Sequence, residues 1–125
     1  MTRDQWRLCV KPSLMEGAGR GVFTQKAIVK GAKLRVTGYC VRRRSLADRC
    51  THFADPYKFR VGPDLLIPTG YGGLINHSSR PNLAKRILGK KVFLQALRAI
   101  AAGEELSHRY GQDAVNRFRV RPKGA

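Results

Sequence analysis

The sequence has no paired cysteines. Its three, Cys9, Cys40 and Cys50, are odd in number and widely spaced, and no C-x-x-C occurs. That argues against a disulfide-framed secreted scaffold and against structural zinc, both of which draw on cysteine in sets. His52, two residues after Cys50, makes only a lone C-x-H, and no metal is expected. Long apolar runs are also missing, so neither a signal peptide nor a membrane span is expected. The chain reads as soluble and intracellular, cytoplasmic or nucleoid-associated, with a secreted or host-directed role left open. Repeats and low-complexity blocks are absent.

Acidic residues are few. Eight Asp and Glu face 25 Lys and Arg, a formal net charge of +17. Such a basic protein attracts polyanions and releases them as salt rises. Nucleic acid is the first candidate partner. Acidic proteins and anionic membranes are alternatives, although no membrane partner is expected, and the plainest reading is that the charge keeps a small protein soluble. The hydrophobic share, 42% of 125 residues, is that of a globular chain. One domain is expected over 1–125, with a core at about 6–111 and a basic tail at 112–125.

Period-two alternation dominates. Trp6, Leu8 and Val10 alternate with polar neighbours, as do Tyr57, Phe59 and Val61 around Lys58 and Arg60; both read as strands with one buried face. Further strands are expected at Val22-Phe23, over Leu34 to Val41 with Tyr39 on it, and at Leu65 to Ile67. Leu83 to Leu88 and Val92 to Ile100 form a hairpin around Gly89-Lys90, and Leu106 to Tyr110 makes a last strand. Only Ser45 to Arg49 suggests a short helix. The class is mostly β.

Single motifs are ambiguous. Gly19-Arg20-Gly21 alone is a tight turn, and it does not join a strand to a helix as a dinucleotide fingerprint must. Asn76-His77-Ser78 alone is a structural pair, and Tyr110 alone a core aromatic. Order changes the reading. Gly19-Arg20-Gly21-Val22-Phe23, Lys30-Gly31, Tyr39, Asn76-His77-Ser78 with Pro81-Asn82, and Gly103-Glu104-Glu105-Leu106 with Tyr110-Gly111 follow one another. This series resembles the SET domain family from about Gly17 to Gly111.

The resemblance implies small curled β-sheets with a knot-like threading of the C-terminal segment, which would bring Asn76-His77 beside Tyr110. It implies a protein-lysine N-methyltransferase using S-adenosyl-L-methionine, with histones or histone-like proteins as substrates. Gly19, Arg20 and Gly21 look like the loop that holds the cofactor's methionine part by its backbone. Asn76 and His77 look like a cofactor-contacting pair, Tyr110 like the catalytic tyrosine, and Tyr39 like a wall of the lysine channel. The chemistry fits: methyl transfer needs alignment and a neutral lysine amine, and desolvation in a narrow channel lowers a lysine pKa.

The sequence also departs from the family pattern. Cysteine-rich zinc segments are absent, and Ser79 stands where cysteine often follows N-H-S. The tail, through Phe118, or a second subunit in a homodimer would then close the channel. His108 stands where Phe or Tyr often influences the number of methyl groups; it either lines the channel, on the same side of a strand as Tyr110, or lies at its rim. Gly72-Gly73 stand near the place of an arginine, and looser packing is expected there. Glu104-Glu105 are expected to form an acidic spot that favours a basic peptide. The alternative function is a non-catalytic nucleic-acid-binding module on a SET-like scaffold, carried by Arg42 to Arg44, Lys90-Lys91 and the tail's Arg117, Arg119, Arg121 and Lys123.

Overall fold

The computed structural model of the chain describes residues 6–109. In chain order the strands are β1 (Leu8–Pro12), β2 (Arg20–Thr24), β3 (Lys33–Val36), β4 (Gly38–Arg42), β5 (Phe59–Val61), β6 (Asp64–Pro68), β7 (Asn76–His77), β8 (Leu83–Leu88), β9 (Lys91–Ala96) and β10 (Ser107–His108). A single α-helix among the described residues, α1 (Leu46–Cys50), and a 3-10 segment at His52–Tyr57 separate β4 from β5. The strands form four small sheets: antiparallel β1-β2, β3-β9-β8 and β4-β6-β5, and a parallel pair β10-β7. The mostly β class holds. No helix among the described residues is long and apolar enough to cross a membrane.

The stretch from Leu34 to Val41 is two strands in different sheets, not one. β3 pairs with β9, and β4 with β6. The change of sheet falls at Thr37-Gly38. A Cβ on Gly38 would overlap the Ile67 carbonyl, so only glycine lets β4 leave β3 and lie against β6. β9 ends at Ala96, and Ile100 instead makes an isolated antiparallel bridge with Ile28, with N–H···O distances of 2.8 Å in both directions. β10 holds only Ser107–His108 of the expected last strand. The helix lies as expected, with the Ser45 hydroxyl capping Asp48 N at 3.2 Å.

The sheets meet on one core. β9 turns Val92, Leu94 and Ala96 inward, while Lys91, Phe93 and Gln95 face out. Leu83, Leu94 and Leu106 are fully buried; each such side chain contributes roughly 1.5–3 kcal/mol through removal of apolar surface from water.

Alternation misplaces Lys58. Its pattern suggests the solvent face, yet its side chain is 2% exposed. The ammonium reaches Asp48 Oδ1 at 2.7 Å, Asp55 Oδ1 at 2.6 Å and the Asp48 carbonyl at 2.9 Å. The other Asp48 oxygen accepts from Arg44 N at 2.8 Å. Two carboxylates and one ammonium thus fasten α1 and the 3-10 segment to the start of β5. Lys58→Ala leaves two buried carboxylates without their cation, and unfolding in urea is expected to show a loss of about 3–5 kcal/mol. Arg98→Ala breaks an exposed pair with Glu104 at 2.8 Å, in which the arginine is 55% exposed, and a hydrogen bond to the Ala99 carbonyl; the same measurement is expected to register less than about 1 kcal/mol.

Candidate functional site

The C-terminal segment runs between two strands. On one side, Leu106 N donates to Val22 O at 2.8 Å, Thr24 N to Glu104 O at 3.1 Å, and Gly103 N to Thr24 O at 2.7 Å. On the other, β10 pairs with β7 in the register Ser107↔Asn76 and His108↔His77. Ser78 N extends that ladder to His108 O at 3.1 Å. Asn82 fixes the register: its Nδ2 donates to Glu105 O and its Oδ1 accepts from Ser107 N, both at 2.9 Å. This threading juxtaposes the Gly19-Arg20-Gly21 turn with Asn76-His77, residues more than fifty positions apart.

Glu105 joins the pieces. Its carboxylate accepts from Ser13 Oγ at 2.7 and 2.9 Å, from Leu14 N at 2.9 Å and from Asn76 Nδ2 at 3.1 Å. Asn76 Nδ2 also donates to the Arg20 carbonyl at 2.9 Å. Gly21 lies directly against this cluster, and a Cβ there would overlap the Glu105 carboxylate. Gly19 has φ +70°, a left-handed conformation natural to glycine, and its carbonyl accepts from Ser13 N at 2.7 Å. The backbone at residues 19–21 is therefore held from both sides.

A cleft of about 690 Å³ opens beside it. Ala18, Arg20 and Asn76 line it together with the aromatic side chains of Phe53, Tyr57 and Tyr71. Phe53 and Tyr57 belong to the 3-10 segment that Lys58 fastens. Phe53 is 78% exposed.

The sequence profile of the SET domain matches residues 19–111. This chain belongs to the SET domain family. It is 33% identical over 116 residues to human histone-lysine N-methyltransferase 2B, a match covering 80% of this chain. The chain spans only 4% of that relative's length. Among solved structures it resembles the Chaetomium thermophilum polycomb repressive complex 2, with a TM-score of 0.76 and 23% identity over 88% of this chain and 16% of that one. It also resembles a candidate histone methyltransferase of Plasmodium falciparum, with a TM-score of 0.66 and 23% identity over 85% of this chain and 98% of that one. At these identities the solved structures speak to the fold.

Two histidines stand side by side in the SET domain's parallel pair. His77 and His108 are 4% and 5% exposed. Burial lowers the His77 pKa, and Arg109 adds to the effect. His108 stacks on Phe59 with ring centroids 5.5 Å apart. Burial pushes its pKa down to about 4, against a hydrogen bond to the Arg109 backbone that raises it; His77 and Lys85 lower it further.

The Asn76 side chain meets the 19–21 turn at the Arg20 carbonyl, and Arg20 and Asn76 line the cleft with Ala18; Gly19, Gly21 and His77 are not among its lining residues. Tyr39 does not line it. It is 71% exposed on β4, directly across from Ile67, which does. Tyr110 and the tail with Phe118 lie outside the described residues. The His108 ring is buried against Phe59. The expected acidic spot is not free: Glu105 serves the cluster above, and Glu104 accepts from Arg98 and from Ala101 N. Nor is packing loose at Gly72-Gly73, where a Cβ would come within 3.0 Å of Val36 and 2.9 Å of Pro68. Sequence reasoning missed the hub role of Glu105, the register role of Asn82, and the cleft aromatics Phe53 and Tyr71. The G-E-E-L and P-N positions were visible, but their partners are non-local.

The lowered histidine pKa values make stability depend on pH. Between pH 6.5 and about 4 the unfolded chain binds a proton at this position that folded His108 refuses, so stability falls as pH falls through that window. In urea titrations across it, His108→Phe is expected to remove up to about 3 kcal/mol of the acid-side loss.

Proposed function

We propose that this chain, as a single SET domain with its core at about 6–111, transfers a methyl group from S-adenosyl-L-methionine to the side-chain amine of a protein lysine. The carrying observation is the braced backbone at residues 19–21, whose Arg20 lines an aromatic cleft. The cleft volume lies in the range of small-molecule sites, and its mixture of aromatic side chains, arginine and asparagine suits an adenosine joined to a zwitterionic methionine. When bound, that cofactor supplies an electrophilic methyl on a cationic sulfur.

The chain's residues supply alignment and a suitable field. The residue 19–21 backbone receives the methionine part, because a side chain at Gly21 would displace Glu105. Asn76 acts from behind: its amide nitrogen grips the Arg20 carbonyl and so sets the loop's position. The buried imidazoles of His77 and His108 stay neutral at pH 7 and add no positive charge beside a cationic sulfur and a lysine. Tyr110 is assigned by its motif as the hydroxyl that orients the amine. Tyr39 and His108 are assigned to the lysine side of the site, Tyr39 exposed enough for a peptide to cover and His108 as an inner wall. The similarity to human histone-lysine N-methyltransferase 2B supports histones or histone-like proteins as the first substrates to try.

The test is transfer of labelled methyl groups from S-adenosylmethionine to core histones and to a basic protein extract. Native protein is expected to label lysine. Tyr110→Phe is expected to reduce labelling sharply, and Asn76→Ala about a hundredfold through misplacement of the loop. No labelling of either mixture, together with no cofactor binding by calorimetry, overturns the reading.

A further inference from the structure

The positive charge is not spread evenly over the sheets. Register on the three-stranded sheet sets Arg35 opposite Phe93 and Phe93 opposite Arg86, one row running across β3, β9 and β8. The next row is Lys33, Gln95 and Ala84, and Lys91 lies across from Leu88 on the other side. Alternation on β9 and β3 turns Leu34, Val36, Val92 and Leu94 to the core, so Lys33, Arg35, Lys91, Phe93 and Gln95 share the outer face. Arg35, Arg86 and Lys91 are exposed; Lys33, Phe93 and Gln95 are half-buried.

The face is also ordered. Gln95 Nε2 donates to the Gly31 carbonyl at 3.1 Å, and Gln95 Oε1 accepts from Arg86 Nε at 3.1 Å. That bond lays the Arg86 guanidinium across β9. No carboxylate occurs on β3, β8 or β9. A half-buried aromatic between two arginines, with two lysines beyond them, matches the chemistry of an unpaired nucleic-acid strand. Its bases offer faces for stacking, and its phosphates offer charge at intervals of one nucleotide. A protein partner would need an acidic surface but would have no evident use for the central aromatic flanked by guanidinium groups.

We propose that the outer face of the β3-β9-β8 sheet binds single-stranded nucleic acid, with a base stacked on Phe93 and phosphates held by Lys33, Arg35, Arg86 and Lys91. This surface is separate from the aromatic cleft, and its test does not depend on methyl transfer.

Fluorescent 20-nucleotide oligo-U, oligo-dT and a duplex of the same length are titrated with the full chain at about 50 and about 200 mM salt, where phosphate contacts dominate the difference. Both single strands are expected to bind more tightly than the duplex; a preference between the first two reports on the sugar. Arg35→Gln with Arg86→Gln is expected to weaken single-strand binding at least about tenfold and to reduce the salt slope by roughly 1.4. Phe93→Val keeps the strand and all the charge, and is expected to weaken single strands about fivefold or more while leaving the duplex unchanged. Lys26→Gln with Arg49→Gln removes the same charge elsewhere on the surface and is expected to cost much less. Equal loss in both double variants would reduce the effect to net charge and overturn the proposal. So would a silent Phe93→Val, tighter binding of the duplex, or no binding of either single strand at the lower salt.

Discussion

The carboxylate of Glu105 is the constraint on which the site depends. It gathers a hydroxyl and an amide N–H from residues 13 and 14, an amide from Asn76 and the close approach of Gly21. The Ser13 contact closes a span of 92 residues, and closing such loops is entropically unfavourable before any contact rewards it. Charge-assisted hydrogen bonds to a half-buried anion are among the stronger compensations available to a chain this small. Without them, β7 and β10, each two residues long, would have little to hold them in register. Two-residue strands are marginal alone, and these persist because Asn82 and Glu105 fix the same segment from different sides.

A second brace acts on the opposite wall. Lys58, Asp48 and Asp55 keep the 3-10 segment folded against β5, and that segment carries Phe53 and Tyr57 into the cleft. The site therefore lies between two polar clusters, one centred on an anion and one on a cation. Each keeps a formal charge of −1 held in hydrogen bonds: neutral donors surround Glu105, and Lys58 lies between two carboxylates. The histidines of the parallel pair extend the same logic, since burial lowers the pKa of both.

Local order was legible where a segment's own chemistry decides its structure. The β8–β9 hairpin was readable because alternation and the Gly89-Lys90 turn agree, and the helix because Ser45 caps it. The family was readable because its motifs keep their order over most of the chain. What escaped was decided by a distant neighbour. The break at Thr37-Gly38 depends on the Ile67 carbonyl, which no local pattern reveals. Lys58 occupies a polar position in an alternating run, and only the tertiary placement of Asp48 and Asp55 makes an interior site tolerable for it. Glu105 looked like free acidity because its acceptor role belongs to residues 13, 14 and 76.

Those internal uses of acid also shape the exterior. The chain has eight acidic residues, and four of them, Asp48, Asp55, Glu104 and Glu105, have their carboxylates engaged by cations or by amide and hydroxyl donors. Among the described residues, folding thus engages anions while leaving most lysine and arginine side chains exposed. The resulting field disfavours approach of a basic peptide until salt or a bound polyanion screens it, with a range of about 8 Å at physiological ionic strength. Electrostatic braces that build the cleft therefore sharpen the cationic exterior, and the two properties arise from one distribution of a scarce residue class.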